Sequence, residues 1–379
     1  MTATLEPTPA VPELTEWDHH AWQDIVRVDL SPEQMQRIVT PAAVHPLQTS
    51  VLAVHWHPEF VPVDLIRQRI EATFPNKRTE LIIPTQHNVI TSYGDLSGVE
   101  IDCYARSFQR KVQFLAHFEK SKTDSPAADK LRSMLKHTFQ YRTGQLWEFI
   151  NTLLEPSLES RMQEAARKTG ADEKMVAFVR QETRKVRELI HVHMDTTPAE
   201  AIRNKALKWW FDALRAQHSA AFIDRVQVFV QAVKEVVKRH FNLEYFYEAH
   251  EIIEEVRGLG GCIVIPHPEQ FWPALLEDYD VDAWEVWNPQ SREYTEFLIN
   301  ALIRENHAGR HRRPILITMG DDCHMGEKVR DPSLQDTEKS RREIGVQPPW
   351  SDMPIQKALR IANIDRDRII SEYRSRLAG

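Results

Sequence analysis

The sequence predicts an α/β fold in which seven short strands form a largely parallel sheet or barrel, interrupted by a large helical insertion. Three observations carry this reading. Apolar runs rich in β-branched residues recur along the chain, helical patterns separate several of them, and from about 122 to 243 helical patterns follow one another with hardly a strand signal. The strands are expected near 51–56, 80–84 ("ELIIP"), 98–103 ("GVEIDC"), 111–117 ("KVQFLAH"), 261–265 ("GCIVI"), 282–287 ("DAWEVW") and 314–319 ("PILITM"). The segments "VDLIRQRIEATF", "FYEAHEIIEEVRGLG" and "SREYTEFLINALIREN" then read as crossover helices of right-handed βαβ units. In the second of these, Ala249, Ile252, Ile253 and Val256 form one apolar stripe, and Gly258, Gly260 and Gly261 stop the helix.

The order along the chain is an N-terminal arm (1–48), a first part of the barrel (49–121), the helical insertion or cap (122–243), a second part of the barrel (244–334) and a helical tail (335–379). The first dozen residues, rich in Pro and Thr, read as a mobile arm. The insertion is too long for a loop and too helical to continue the strand alternation. There is no repeat of fixed period.

With 379 residues, 42% hydrophobic and 27% charged, the chain can bury a sizeable core. A formal charge of −7 gives no support to a general nucleic-acid binder, although a local basic patch is compatible with it. The three cysteines, Cys103, Cys262 and Cys323, are widely separated and form no C-x-x-C pattern, which together with the lack of an export signal or an apolar run near eighteen residues predicts a cytoplasmic protein with no membrane partner. Oligomeric state is not legible.

The chemistry begins at "VLAVHWHPEF". Residues two apart on a strand point the same way, so His55 and His57 project together from the strand's end, as a chelate would. An isolated H-x-H more often marks only where a strand reaches solvent. The later strands add to it: His87 in "PTQHN", Glu100 on the third strand, His267 in "IPHPEQ", Glu285 in "WEVWNP", and Asp322 and His324 in "GDDCH", which repeat the spacing of the first pair. In a parallel barrel such ends converge on one face. A surface or hydrogen-bonded histidine is the better reading of each residue alone; for the whole set in register it needs many coincidences. Mixed imidazole and carboxylate donors suit Mn, Fe or Zn rather than Mg or Ca, and their number exceeds one tetrahedral site, so two or three divalent metal ions are expected.

The set "HWH", "TQHN", "GVEI", "EIIEEVRGLGGCIVIPHP", "WEVWNP" and "GDDCH" resembles the PHP (polymerase and histidinol phosphatase) superfamily over about 50–118 and 245–326, less than half the chain. The resemblance implies a distorted seven-stranded (β/α)7 TIM-like barrel with a site of two or three metals, and the ligands His55, His57, His87, Glu100, His267, Asp322 and His324. There are departures. Gln86 stands where an acidic residue usually precedes the second-motif histidine, and Gln113 stands where a ligand histidine commonly begins the fourth strand. His117, four residues on along the same strand face, is the candidate replacement, with a plain strand-end histidine as the alternative. Glu59 is the candidate for the aspartate missing after H-x-H, and Asp321 replaces a small residue. These departures bear on the third metal more than on the first two.

Such a cluster lowers the pKa of water towards neutrality and favours in-line attack on phosphorus, and no G-x-S-x-G or P-loop pattern competes with it. The expected activity is hydrolysis of a small phosphomonoester, with His267 and Asp322 as the catalytic residues. A nuclease or nucleotide phosphodiesterase on the same site, an amidohydrolase-type barrel and a metal-poor binding scaffold are the alternatives; the "DDCH" ending and the "GVEI" glutamate speak against the amidohydrolase. Other features carry less. The basic loop "RHRR" (310–313) precedes the seventh strand and falls at the opposite rim, Trp56, Trp284 and Trp287 read as core, "IHVHM" (190–194) lies on a helix where residues two apart diverge, and "KWWFDAL" reads as packing between cap and barrel.

Overall fold

The computed structural model describes residues 13–332 and 335–379, so the arm expected over the first dozen residues lies outside the described residues. The described residues form two compact units, one within 30–139 and 243–379 and one within 13–29 and 140–242.

The first unit is mixed α/β. Its strands are β1 (Ser50–Ala53), β2 (Trp56–His57), β3 (Thr79–Ile82), β4 (Thr91–Tyr93), β5 (Leu96–Ala105), β6 (Arg110–Glu119), β7 (Cys262–Ile265), β8 (Ala283–Trp287), β9 (Leu316–Met319) and β10 (Cys323–His324). All seven expected runs contain a strand, the first divided into β1 and β2. β4 and β10 are additional, and at three and two residues they are too short to show a period in hydropathy.

Hydrogen bonding joins β4-β5-β6-β7-β8-β9 into one sheet and makes separate pairs of β1 with β3 and β2 with β10. The expected parallel order is corrected in the middle of this series: β4/β5, β5/β6 and β6/β7 are antiparallel, whereas β7/β8, β8/β9, β1/β3 and β2/β10 are parallel. For β4/β5 and β5/β6 the physical reason is connection length, and β6, so reversed, meets β7 antiparallel. Only residues 106–109 link β5 to β6, with Gln109 at φ +51° in the turn, and a crossover needs a dozen residues or more.

β1 lies between two apolar clusters. Leu52 and Val54 join the core of the six-stranded sheet, while Val51, Ala53 and Trp56 pack with Ile66, Ile70 and Phe74 on the other side. This explains an apolar run without alternation, because both strand faces are covered. The helix Arg366–Ala378 closes the sheet core with Ile369, Ile370, Tyr373 and Leu377.

His117 belongs to this closure. Its Nε2 donates to the Val54 carbonyl (3.0 Å) and its Nδ1 accepts from the Tyr373 hydroxyl (2.6 Å), so both ring nitrogens are used and the side chain is fully buried. The expectation that His117 joins the ligand set is therefore corrected: a neutral, doubly bonded imidazole has no lone pair left for a metal. A second buried node is Arg69, which forks onto Glu343 (Nε to Oε2, 2.7 Å) and donates to the carbonyls of Ile38 and Thr40 (both 2.8 Å). It ties the helix Val63–Thr73 to the chain before β1 and to the segment after β10.

The second unit consists of the helices Glu16–Val26, Tyr141–Leu154, Glu159–Thr169, Glu173–Val192, Asn204–Ala213 and Ala220–His240, packed on Trp22, Phe149, Trp210, Phe211 and Phe229. Thr15 and Asp18 form a capping box at the first, and Asp172 caps the fourth. Residues 122–139, expected within the insertion, instead belong to the first unit. "KWWFDAL" turns inward: Trp210 and Phe211 are fully buried in the helical unit's own core, and the Trp210 indole N–H donates to Glu182 Oε2 (3.1 Å).

Two tests follow from these contacts. Arg69→Leu takes one of two cations from buried Glu343, leaving it Lys328, and frees the Ile38 and Thr40 carbonyls; it is expected to cost about 3–5 kcal/mol in urea unfolding. For His117, burial holds the ring pKa down to about 3 in the folded chain against an ordinary 6.5. The unfolded chain therefore takes up a proton that the native state refuses, and this contribution to stability is complete above pH 6.5 and declines as pH falls towards 3. His117→Gln is expected to flatten the pH dependence of unfolding between pH 6 and 4 by about one proton, or about 1.4 kcal/mol per pH unit.

Candidate metal centre

Backbone pairing places the candidate ligands. β2 and β10 run parallel with His57 opposite His324, and the Asp322 amide donates to the His55 carbonyl (2.9 Å). A separate parallel bridge sets His87 opposite Glu100. His267 follows β7 directly, next to β8 and its Glu285.

The side chains then meet. His57 stacks between His324 and His87, with ring centroids 4.2 and 4.5 Å apart. Asp322 Oδ1 faces three imidazoles, at 3.3 Å from His57 Nε2, 3.3 Å from His324 Nε2 and 3.8 Å from His55 Nε2. Glu100 spans the cluster: Oε2 lies 2.6 Å from His87 Nδ1 and 3.6 Å from His57 Nε2, and Oε1 lies 3.6 Å from His267 Nε2. Two donor trios result, His57/His87/His324 and His55/His57/Glu100, each with ligand atoms within 4.8 Å of one another, and His57 belongs to both. All seven residues expected from the sequence as ligands are thus brought together; His117 is not among them.

The electrostatics follow from burial and crowding. Burial and the neighbouring His324 and His87 rings hold His57 neutral, with its pKa down to about 3. Burial disfavours a charged His55 as well, but the Glu285 carboxylate outweighs it and drives the pKa up to about 10. Against the burial penalty, the imidazoles around Glu100 and Asp322 hold both carboxyls well below the ordinary range. His57 Nδ1 and Nε2, His267 Nδ1 and His324 Nδ1 are buried without a hydrogen-bond partner. Buried polar atoms in that state are costly, and metal coordination is one way to satisfy them. The neighbouring carboxylates also raise His267 and His324, so these rings and His55 would give up their protons on binding a cation; imidazoles so deprotonated, with shared carboxylates, fit divalent Mn, Fe or Zn.

An outer set of residues aims these donors. Glu285 Oε2 takes the Nδ1 side of His55 (2.6 Å) and turns its Nε2 towards Asp322; Glu285 Oε1 accepts from the His267 amide and from Asn288 Nδ2, both at 3.0 Å. Arg342 and Gln290 donate to the far oxygen of Asp322, at 2.5 and 2.8 Å. Glu59 Oε1 sits 3.6 Å from His324 Nδ1, and Gln86 Oε1 accepts from the Glu59 amide (3.2 Å). Gln113 turns to Asp102 (3.0 Å), which also accepts from Asn88 (2.7 Å) and pairs with Lys111. Asp321, its carboxyl pushed up to about 7 by burial, accepts from the Gly345 and Cys323 amides and is structural. Sequence reasoning missed Arg342 and Gln290, which stand in no motif, and took Glu285 for a ligand type where it orients one.

Two glycines make room. A Cβ on Gly320 would lie 1.9 Å from Glu285 Oε2, and one on Gly326 would lie 2.2 Å from Glu59 Oε2. Glu59, Asn88, His267 and Asp322 all adopt positive φ, so four of the six such non-glycine residues among those described adjoin the cluster.

The shared imidazole makes a stoichiometric test possible. If each trio holds one ion, His57→Ala is expected to lose both, whereas His87→Ala retains the one held by His55, His57 and Glu100; metal analysis after loading with Mn²⁺ and desalting reads the difference. Equal loss in both variants would contradict the two-trio arrangement.

No family model and no curated protein matches the chain. Among solved structures, the chain is similar to a candidate metal-dependent phosphoesterase from Bifidobacterium adolescentis, with 16% identity over 86% of this chain and 98% of that one and a TM-score of 0.42.

Proposed function

We propose that this chain is a metal-dependent hydrolase of phosphate esters that acts on a small phosphomonoester. The observation that carries the reading is the pair of donor trios sharing His57, with buried imidazole nitrogens that no protein group satisfies. The reading takes a barrel as scaffold, with β2, β5, β8, β10 and the segment after β7 delivering the donors to one site. Divalent cations in such a set supply charge neutralisation on phosphoryl oxygens and a nucleophile at neutral pH.

The chain's own groups do the rest. His55, His57, His87, His267 and His324 with Glu100 and Asp322 hold the ions, and Glu285, Arg342 and Gln290 keep the donors aimed. Asp322 stays ionised at neutral pH, with Oδ1 directed inward while Arg342 neutralises Oδ2. Lys111 pairs with Asp102, one strand repeat beyond Glu100 on the same face, and neutralises it. The thiols of Cys103, Cys262 and Cys323 are buried and held protonated, so none serves as a nucleophile.

The reading is tested with p-nitrophenyl phosphate and its bis ester. The expected outcome is Mn²⁺-dependent release of p-nitrophenol from the monoester in preference to the diester, abolished by EDTA and restored by Mn²⁺. His55→Ala and Asp322→Ala are each expected to lower kcat at least a thousandfold while near-UV circular dichroism stays native. Wild-type turnover by both variants would refute the assignment, and an inert protein carrying no transition metal would favour the scaffold.

A further inference from the structure

A cleft of about 580 Å³ lies away from the metal centre, between residues 44–50 and 350–366, within the size range of small-molecule sites. Leu47, Ser50, Trp350, Leu359, Arg360 and Arg366 line it. It begins at the N-terminal end of β1, whereas His55 and His57 follow that strand's other end; four residues at about 3.3 Å each separate the two ends.

The cations of the cleft are unlike others in the same unit. Arg69, Arg257, Arg342 and Arg376 are each largely buried and each meets a carboxylate within 4.0 Å. Arg366 has none at that distance among the described residues. Its guanidinium lies over the Trp350 ring, 5.4 Å from the centroid, and Nη1 donates to the Ser50 carbonyl (2.8 Å), while Nε is buried without a partner. Arg360, exposed on the preceding helix, makes no ion pair among the described residues. Of the two acidic residues beside it in the chain, Asp365 also lines the cleft and caps the helix through the Arg368 amide (2.8 Å), and Asp367 accepts from Ser50 and Thr79 (both 2.6 Å). Burial lowers Arg366 to about 10, and the charge of Asp367 offsets this only in part. Apolar surface completes the cleft, with Leu47 94% and Val44 55% exposed at its edge.

We infer that this cleft is a second ligand site, for a small organic anion with an apolar body. Arg366 and Arg360 take the anionic group, and Leu47, Val44 and Leu359 cover the apolar part. The site is independent of the phosphoesterase reading, since it shares no residue with the metal cluster.

The test uses 1-anilinonaphthalene-8-sulfonate as probe, with the folded, Mn²⁺-loaded full chain. The expected result is saturable fluorescence enhancement at one probe per chain. Arg366→Gln and Arg360→Gln are each expected to weaken binding at least fivefold, and neutral N-phenyl-1-naphthylamine to bind at least tenfold more weakly. Lys357→Gln, an exposed change on the helix that carries Arg360, leaves the affinity unchanged. Because Arg360 is exposed, its variant decides the matter if Arg366→Gln fails to fold. Non-saturable binding, or affinities of both arginine variants within twofold of wild type, would overturn the inference.

Discussion

The structure depends on a crowding of donors that the protein alone does not satisfy. Five imidazoles and two carboxylates share one cluster, and His57 is stacked between two other histidines with both ring nitrogens lacking a hydrogen bond. Desolvating so many polar groups costs several kcal/mol unless cations or protons compensate. Within the cluster the groups have adjusted in opposite senses, His57 held neutral and Glu100 and Asp322 held ionised. A neutral imidazole beside an ionised carboxylate is the state in which both are ligands.

Aiming those donors falls to residues around the cluster. Glu285 serves His55 with one oxygen and the loop after β7 with the other, so one carboxylate sets both an imidazole and a backbone turn. Arg342 does the same for Asp322, bonding its carboxylate and its carbonyl. The glycines at 320 and 326 stand where Glu285 and Glu59 pass close to the backbone, and the left-handed backbone at His267 and Asp322 is the strain that the arrangement retains. The rigidity of the rim therefore comes from paired acid and amide contacts as well as from the apolar packing around β1.

The same charge logic separates the cleft at the far end of β1 from the rest of the unit. Elsewhere, buried arginines are matched to carboxylates or tie carbonyls together; at Arg366 the match is one carbonyl and an aromatic face. The two ends of one short strand thus present opposite chemistries, nitrogen and carboxylate donors for cations at one end and guanidinium groups beside apolar surface at the other.

Much of the rim was legible because ligand chemistry is written locally. His55 and His57, and Asp322 and His324, declare themselves by spacing, and apolar runs before His87 and His267 mark strand ends. The strand positions were legible for the same reason, since a period in hydropathy belongs to a few consecutive residues. Strand direction was not, because it depends on a four-residue turn between β5 and β6 that no apolar pattern reports. Nor was the fate of His117, whose two nitrogens are taken by Tyr373 from the end of the chain and by the Val54 carbonyl, or the aiming of Asp322 by Arg342 from a segment without a motif. Sequence determined which donors this protein has and on which strands they lie; tertiary structure decided which lone pairs remain available, because hydrogen-bond competition is settled only once distant groups are in contact.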